Sequence, residues 1–445
     1  MWESSAGTPF AQVARAGLTR RAVVSMAAVG LAGAAAATLA GCGEEPGLKA
    51  ALLDTGELVF TDSLRGLDGT VEESWPVDES KAYSYTESAP WREAALKVTS
   101  VRFASPVKPV SCAWWFSELD SCASIDLAGL DTSACTSMEG MFAYCPRLER
   151  LDLAGLNTSA CTTMTSMFAG CGSLASLDVS GFDTQAVTSL DSAFYGCSSL
   201  PELNLSGWNT SATATMANMF SGCSSLARID FGEGFATSAA TDMSGMFNGC
   251  SSLEELDLAG FDTSRVTLTT SMFEKCSSLH ALDLAGFDTA SVTNMRSMFR
   301  DCASLTELDL SSFDTARVVN FSNMFRDCSG LVSVDVTSFD TSRATDMNYM
   351  FYGASSLVDV DLSNFDTSNV TVMESMFEGC SSLEELDISG FDLSSAWDVR
   401  AMFRNCSSLR DLELGTIDLS ATSDHANLFA GCDKLPKSLL AKYEE

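Results

Sequence analysis

The stretch Leu279-His280-Ala281-Leu282-Asp283-Leu284-Ala285-Gly286-Phe287-Asp288-Thr289-Ala290-Ser291-Val292-Thr293-Asn294-Met295-Arg296-Ser297-Met298-Phe299-Arg300-Asp301-Cys302 decides the fold. Leu279, Leu282, Leu284 and Phe287 give the apolar alternation of a short strand with one buried face. Asp288-Thr289 reads as a turn. Val292, Met295, Met298 and Phe299 then recur at helical spacing up to Cys302, which predicts a short helix or 3-10 segment. Outward from this stretch the same pattern returns with its Phe at 142, 168, 194, 220, 247, 273, 299, 325, 351, 377, 403 and 429. Every step is 26 residues except one of 27, and the extra residue falls in the turn Gly232-Glu233-Gly234-Phe235.

A unit this short cannot bury Leu, Phe and Met by itself, so it is stable only when stacked on copies of itself. The expected fold is therefore an α/β repeat solenoid, with one short strand and one short helix or 3-10 segment per unit. At the usual strand separation, about a dozen strands make a parallel sheet roughly 55–60 Å long. The expected shape is a curved rod, strands inside and helical segments outside. Residues 115–432 form this solenoid of about 12 units. Residues 48–114 break the pattern. Leu52-Leu53-Asp54-Thr55-Gly56-Glu57-Leu58-Val59-Phe60 suggests a hairpin, and Val98-Thr99-Ser100-Val101-Arg102-Phe103 a further strand. A β-rich N-terminal cap is expected there, and residues 433–445 form a C-terminal cap or tail.

The units carry a resemblance. Asp361-Leu362-Ser363-Asn364-Phe365-Asp366-Thr367-Ser368-Asn369-Val370-Thr371 and Ser375-Met376-Phe377-Glu378-Gly379-Cys380-Ser381-Ser382-Leu383 closely resemble the BspA-like bacterial surface leucine-rich repeats. The segment with Asp54-Thr55-Gly56-Glu57-Leu58 and Trp114-Trp115-Phe116 is similar to the one preceding those repeats, so the likeness spans nearly all of residues 42–445. It implies a leucine-rich-repeat solenoid, surface display, and adhesion to host matrix or plasma proteins or to other microbes. It does not fix the ligand.

Residues 1–41 read as an export signal: Thr19-Arg20-Arg21-Ala22-Val23-Val24, an apolar run from Val23 to Ala40, then Leu39-Ala40-Gly41-Cys42. Leu-Ala-Gly-Cys resembles a lipobox, which would make Cys42 the lipid-attachment residue and residues 42–47 a lipidated linker. The Arg pair resembles a twin-arginine signal, and the general secretory route stays open. No later apolar run is long enough to cross a bilayer, so the expected contact with the membrane is the lipid alone.

Charge narrows the partners. Residues 1–41 hold Glu3 against Arg15, Arg20 and Arg21, so residues 42–445 carry 58 acidic against 23 basic side chains, a formal −35. Such a surface repels nucleic acid and anionic bilayers and attracts cations and basic partners. A strand column, Asp126, Asp152, Asp178, Asn204, Asp230, Asp257, Asp283, Asp309, Asp335, Asp361, Asp387 and Glu413, lies between buried aliphatics and so points outward. The position two before it varies freely, with Glu255, Glu307, Asp359 and Glu385 among its occupants, while the position two after it is always small. A ligand along this face would meet Asp257, Asp283, Asp309, Asp335, Asp361, Asp387, Glu255, Glu307, Asp359 and Glu385. A merely solvated acidic face is the plainer alternative. Ca²⁺ is expected as no more than a loose counter-ion, because one carboxylate ladder supplies too few oxygens for discrete sites. A second column, Asp131, Asn157, Asp183, Asn209, Asp262, Asp288, Asp314, Asp340, Asp366, Asp392 and Asp418, nearly always followed by Thr, is expected to fix the turn.

The cysteines Cys145, Cys171, Cys197, Cys223, Cys250, Cys276, Cys302, Cys328, Cys380, Cys406 and Cys432 share one register with Ala354, which points to a small buried group, with disulfides between adjacent turns as the alternative. Bridges Cys135–Cys161 and Cys112–Cys122 also stay open. No C-x-x-C is present, so neither a metal site nor a cofactor is expected. Two histidines, His280 and His425, in different units and no nucleotide or nucleophile motif argue against an enzyme. Trp208 and Trp397 read as core positions. The expectation is a monomeric cell-surface lipoprotein that binds an extracellular protein or glycoprotein. The alternative is a glycan or small-ligand capture lipoprotein, which would need a pocket with convergent aromatics.

Overall fold

The computed structural model describes residues 47–415, 419 and 422–443. The export segment, Cys42 and the linker up to residue 46 lie outside the described residues.

Strand β1 (Lys49–Leu53) and strand β2 (Glu57–Thr61) pair antiparallel around the turn at Gly56, whose φ of +83° is one that glycine adopts freely. Strand β3 (Val71–Pro76) pairs antiparallel on the other edge of β1. On its far side β2 runs parallel to β4 (Ser100–Phe103), and β4 runs parallel to β5 (Ser124–Ile125). The sheet order is therefore β3-β1-β2-β4-β5, and β5 stands at the head of the Asp126 strand column. Trp91, Trp115, Phe60 and Phe116 fill the space behind it, with the Trp91 indole N–H donating to the Trp115 carbonyl at 2.7 Å.

From there the chain is a leucine-rich-repeat solenoid. Its strand limb shows as three-residue strands paired in parallel. They are β6 (Glu202–Asn204) with β7 (Arg228–Asp230), β8 (Glu307–Asp309) with β9 (Ser333–Asp335), and β10 (Glu385–Asp387) with β11 (Asp411–Glu413). In each, the outer two residues are exposed and the middle aliphatic points inward, as the period-2 pattern requires.

The second limb departs from expectation. No helix forms at Val292–Phe299 or its counterparts. Instead, parallel bridges link Ser137, Thr163, Ser189, Thr215, Asp242, Leu268, Asn294, Asn320, Asp346, Val372, Asp398 and Asp424, one to each turn of the solenoid. Alternate amides have different destinations. Met295, Ser297, Phe299 and Asp301 donate to the carbonyls of Asn320, Ser322, Met324 and Arg326 in the next turn, at 2.8–3.1 Å. Met298, Arg300 and Cys302 donate three residues back, to Met295, Ser297 and Phe299. The 3-10 half of the expectation thus survives as isolated i→i−3 turns, without a continuous segment.

The geometry requires a left-handed residue two before and two after each Phe: Ser297 (φ 56°) and Asp301 (φ 60°) here, Gly245 and Gly249 around Phe247, Asn323 and Asp327 around Phe325. Gly, Asn, Asp and Ser dominate these places, and the first three tolerate the region best. Because the tight turns also bring residues three and four apart to one side, Met295, Met298 and Phe299 imitated a helix face.

The core is one continuous cluster from Ala50 to Leu435. Phe116 and the twelve Phe that follow it in register stack ring on ring, with successive centroids 5.3–5.8 Å apart. The insertion at Gly232–Phe235 is absorbed without breaking this stack; Gly232 takes φ +63°, and a Cβ there would lie 2.5 Å from Ser206 Cα. The helix Lys437–Tyr443 closes the described chain, with Leu439 and Leu440 packed against the core.

A side-chain ladder locks the turns together. Thr263 is buried; its hydroxyl donates to the Asp288 carbonyl at 2.9 Å and accepts the Asp288 N–H at 2.8 Å in the next turn. The same exchange joins Thr341 to Asp366 and Thr367 to Asp392. This is why Thr follows the turn Asp.

Two outcomes follow, one from this ladder and one from the left-handed positions. Thr263→Val should destabilise the chain by about 2–3 kcal/mol in chemical denaturation, since it strands two buried backbone groups, while Thr263→Ser should retain most of that stability. Ser297→Gly should leave stability within about 1 kcal/mol of the parent, whereas Ser297→Val should cost about 1–2 kcal/mol or more. A helical limb would give the opposite order, glycine being the poorer helix former.

Candidate functional site

Asp257, Asp283, Asp309, Asp335, Asp361 and Asp387, with Glu255, Glu307, Asp359 and Glu385, are all exposed on the strand limb. Parallel register sets like against like. Asp309 stands opposite Asp335, and Asp387 opposite Glu413. Two of the flanking acids have basic side chains beside them: Glu385 is paired with Arg410 at 2.7 Å, and Glu255 lies 3.8 Å from the His280 ring.

The aspartates also have a local task that sequence reasoning missed. One carboxylate oxygen accepts the backbone N–H two residues on: Ala259 to Asp257, Ala285 to Asp283, Ser311 to Asp309, Thr337 to Asp335, Ser363 to Asp361 and Ser389 to Asp387, at 2.8–3.0 Å. The strand aspartates thus turn the chain out of the strand. Asn204 does the same through its amide oxygen, accepting from Ser206 at 2.9 Å. The presence of Asn in the column was the available signal, since Asn keeps the acceptor and drops the charge. The hydroxyl of Ser311 and the backbone N–H behind it hold the Asp309 carboxyl below its usual range, and Ser389 does the same for Asp387. These groups therefore keep their charge at acidities where an ordinary Asp begins to protonate.

The other Asp column behaves as expected of a turn: Asp262, Asp288, Asp314, Asp340, Asp366 and Asp392 each accept the N–H two residues on, at 2.8–3.0 Å. Asp418 lies outside the described residues.

The cysteine column is buried and internally bonded. Each thiol donates to the carbonyl of the Phe in the preceding turn, Cys302 to Phe273 and Cys328 to Phe299 among them, at 3.1 and 2.9 Å. Burial pushes the thiols of Cys276, Cys328 and Cys380 up to about 12, so they are unreactive as nucleophiles at neutral pH. Every described cysteine is a free thiol. The contact near the N-terminal sheet is Cys112 with Cys135, the Cys112 N–H reaching the Cys135 sulfur at 3.2 Å, in place of the pairs Cys112–Cys122 and Cys135–Cys161. Among the described residues no three His, Cys, Asp or Glu side chains converge as a metal site, and no helix is long and apolar enough to cross a membrane.

The two tryptophans read as core part company. Trp208 is buried, its indole N–H donating to the Val179 carbonyl at 3.0 Å. Trp397 is 52% exposed. The reason is its register: it occupies the column of Thr345 and Thr371, outside the inward-facing positions.

Comparison with curated proteins gives no match. Among solved structures, a leucine-rich repeat protein from Bacteroides ovatus is 19% identical, with 78% of this chain and 84% of that chain covered at a TM-score of 0.39. Another from Eubacterium ventriosum is 16% identical, with 86% and 92% covered at a TM-score of 0.44. The sequence family described as "Mycoplasma protein of unknown function, DUF285" matches residues 110–232, 228–333 and 319–443, successive stretches of the same solenoid, and the chain belongs to that family.

Proposed function

We propose that the protein is a bacterial cell-surface lipoprotein whose solenoid binds an extracellular protein or glycoprotein by multi-point contact. The resemblance to BspA-like repeats supports adhesion to host matrix or plasma proteins or to other microbes. In this reading Cys42 carries the lipid, a twin-arginine signal directs export, and residues 48–114 and 433–445 close the ends of a monomeric rod. The membrane is reached through the lipid only, and nucleic acid is not a partner. The chain works as a scaffold and not as an enzyme.

The observation that carries the reading is the strand face. Acidic side chains stand exposed at every turn, held by their own backbone at strand spacing. Neighbouring charges at that spacing repel by about 1 kcal/mol in water, and a basic partner or loosely held Ca²⁺ relieves the sum along the column. An ordered carboxylate row also suits a partner that presents Lys or Arg at matching intervals.

Asn is the informative substitution, because it keeps the turn acceptor while removing the charge. The test is binding of the full chain to immobilised matrix and plasma proteins at two salt concentrations. Asp283→Asn, Asp309→Asn and Asp335→Asn together should leave stability nearly unchanged and weaken a salt-sensitive interaction by about tenfold or more. The three Ala counterparts should also lower stability, by about 1 kcal/mol each. Binding that is indifferent to the Asn triple variant would reject the strand face as the contact surface.

A further inference from the structure

Trp397 sits where the repeat otherwise places a small residue. Its column runs Thr293, Val319, Thr345, Thr371, Trp397 and Ser423, each backbone N–H donating to the carbonyl of the residue one turn before it, at 2.9–3.0 Å. Beside it, two residues earlier in each turn, stand Arg317, Arg343, Asn369 and Ser395, all exposed. Val319 is exposed as well. From Val319 to Trp397 is three steps of the ladder, a strip about 15 Å long at ordinary strand spacing.

The strip is rich in hydrogen-bond acceptors. The Thr345 hydroxyl donates to the Val319 carbonyl at 3.1 Å and the Thr371 hydroxyl to the Thr345 carbonyl at 3.0 Å. The Ser395 hydroxyl donates to the Ser368 carbonyl at 2.6 Å, and the Asn369 amide nitrogen to the Ser342 carbonyl at 2.9 Å. With those hydroxyl hydrogens engaged on backbone carbonyls, the Thr345, Thr371 and Ser395 oxygens are left as acceptors, and Asn369 offers its side-chain oxygen beside a second N–H. Arg317 and Arg343 supply donors at the other end and form no ion pair among the described residues, unlike Arg400 and Arg410. A ligand that fits must therefore offer many hydroxyl donors, some acceptors for guanidinium, and an apolar face for an indole ring. A pyranose combines all three: its C–H face packs on the ring while its hydroxyls donate to the row of oxygens.

We infer that this strip binds an extended neutral hexose polysaccharide, with Trp397 as the stacking platform, Thr345, Thr371, Asn369 and Ser395 as acceptors, and Arg343 as donor. The formal charge of −33 disfavours a polyanion, and the exposed Arg317 and Arg343 along the strip disfavour a polycation, which leaves a neutral polymer. The site is separate from the acidic strand face and does not depend on the function proposed for it.

The decisive variant is Trp397→Thr, which restores the residue that the column itself uses in the two preceding turns and so keeps the fold. The full chain and this variant are titrated with neutral glucans, mannans and galactans, with polygalacturonate as the charged comparison, and tryptophan emission is followed alongside calorimetry. The expected result is saturable binding of a neutral polymer with a shift in emission, weakened about tenfold or more by Trp397→Thr and by Arg343→Ala, with polygalacturonate weaker. The inference is overturned if no neutral polymer binds, if Trp397→Thr binds as well as the parent, or if polygalacturonate binds best. If Trp397→Thr instead abolishes capture of a matrix protein stripped of its glycans, the strip is a protein contact and the polysaccharide assignment falls. That result would leave the acidic-face reading to its own Asn variants.

Discussion

Half of the backbone amides in the second limb of each unit have acceptors only in the neighbouring turn, and the rest of the structure follows from that. Ser297, Phe299 and Asp301 donate to Ser322, Met324 and Arg326, so the limb cannot satisfy its own polar groups as a helix would. An isolated unit would leave these donors to water and its Phe, Met and Cys exposed. Stacking resolves both problems together, since the translation that brings Phe299 over Phe325 at 5.8 Å also brings each N–H to its carbonyl. The Thr263–Asp288 exchange and the Cys thiols bonded to Phe carbonyls add to the same translation. Cooperativity therefore runs along the solenoid axis, from turn to turn.

This division of labour decides where function can reside. Inward positions are bound by the stack, and so are the turn residues Asp288 and Thr289. Even the strand aspartates, the obvious candidates for a ligand, hold the turn with one oxygen, which explains why Asn204 is admitted to the column and why a small residue follows it two positions on. The charge of the column is what the turn leaves free. Departures from the repeat at exposed sites have no such structural cause, and Trp397 in a threonine column is the largest of them.

Much of this was legible from residues alone. The 26-residue period, the Phe register, the inward Leu and the turn-forming Asp288 column follow from spacing and side-chain chemistry, and the solenoid needs nothing more. The second limb did not, because Met295, Met298 and Phe299 fall at positions shared by a helix face and by successive tight turns. The distinguishing signal was the Gly, Asn, Asp and Ser that predominate two residues either side of the stacked Phe, a left-handed signature that a helix interior would not favour. The buried role of Thr263 was hidden because its partner, Asp288, lies 25 residues away. Trp397 was misplaced because aromatic residues are usually core, and only the register of the Thr345 column shows that it faces out.

Far-UV circular dichroism of the full chain tests the stacked-turn limb most directly. The expected spectrum is dominated by strand and turn, without the paired minima of a helix in every unit. A helical signal large enough for one segment in each of about a dozen turns would contradict it, and with it the claim that alternate amides are satisfied only by the neighbouring turn.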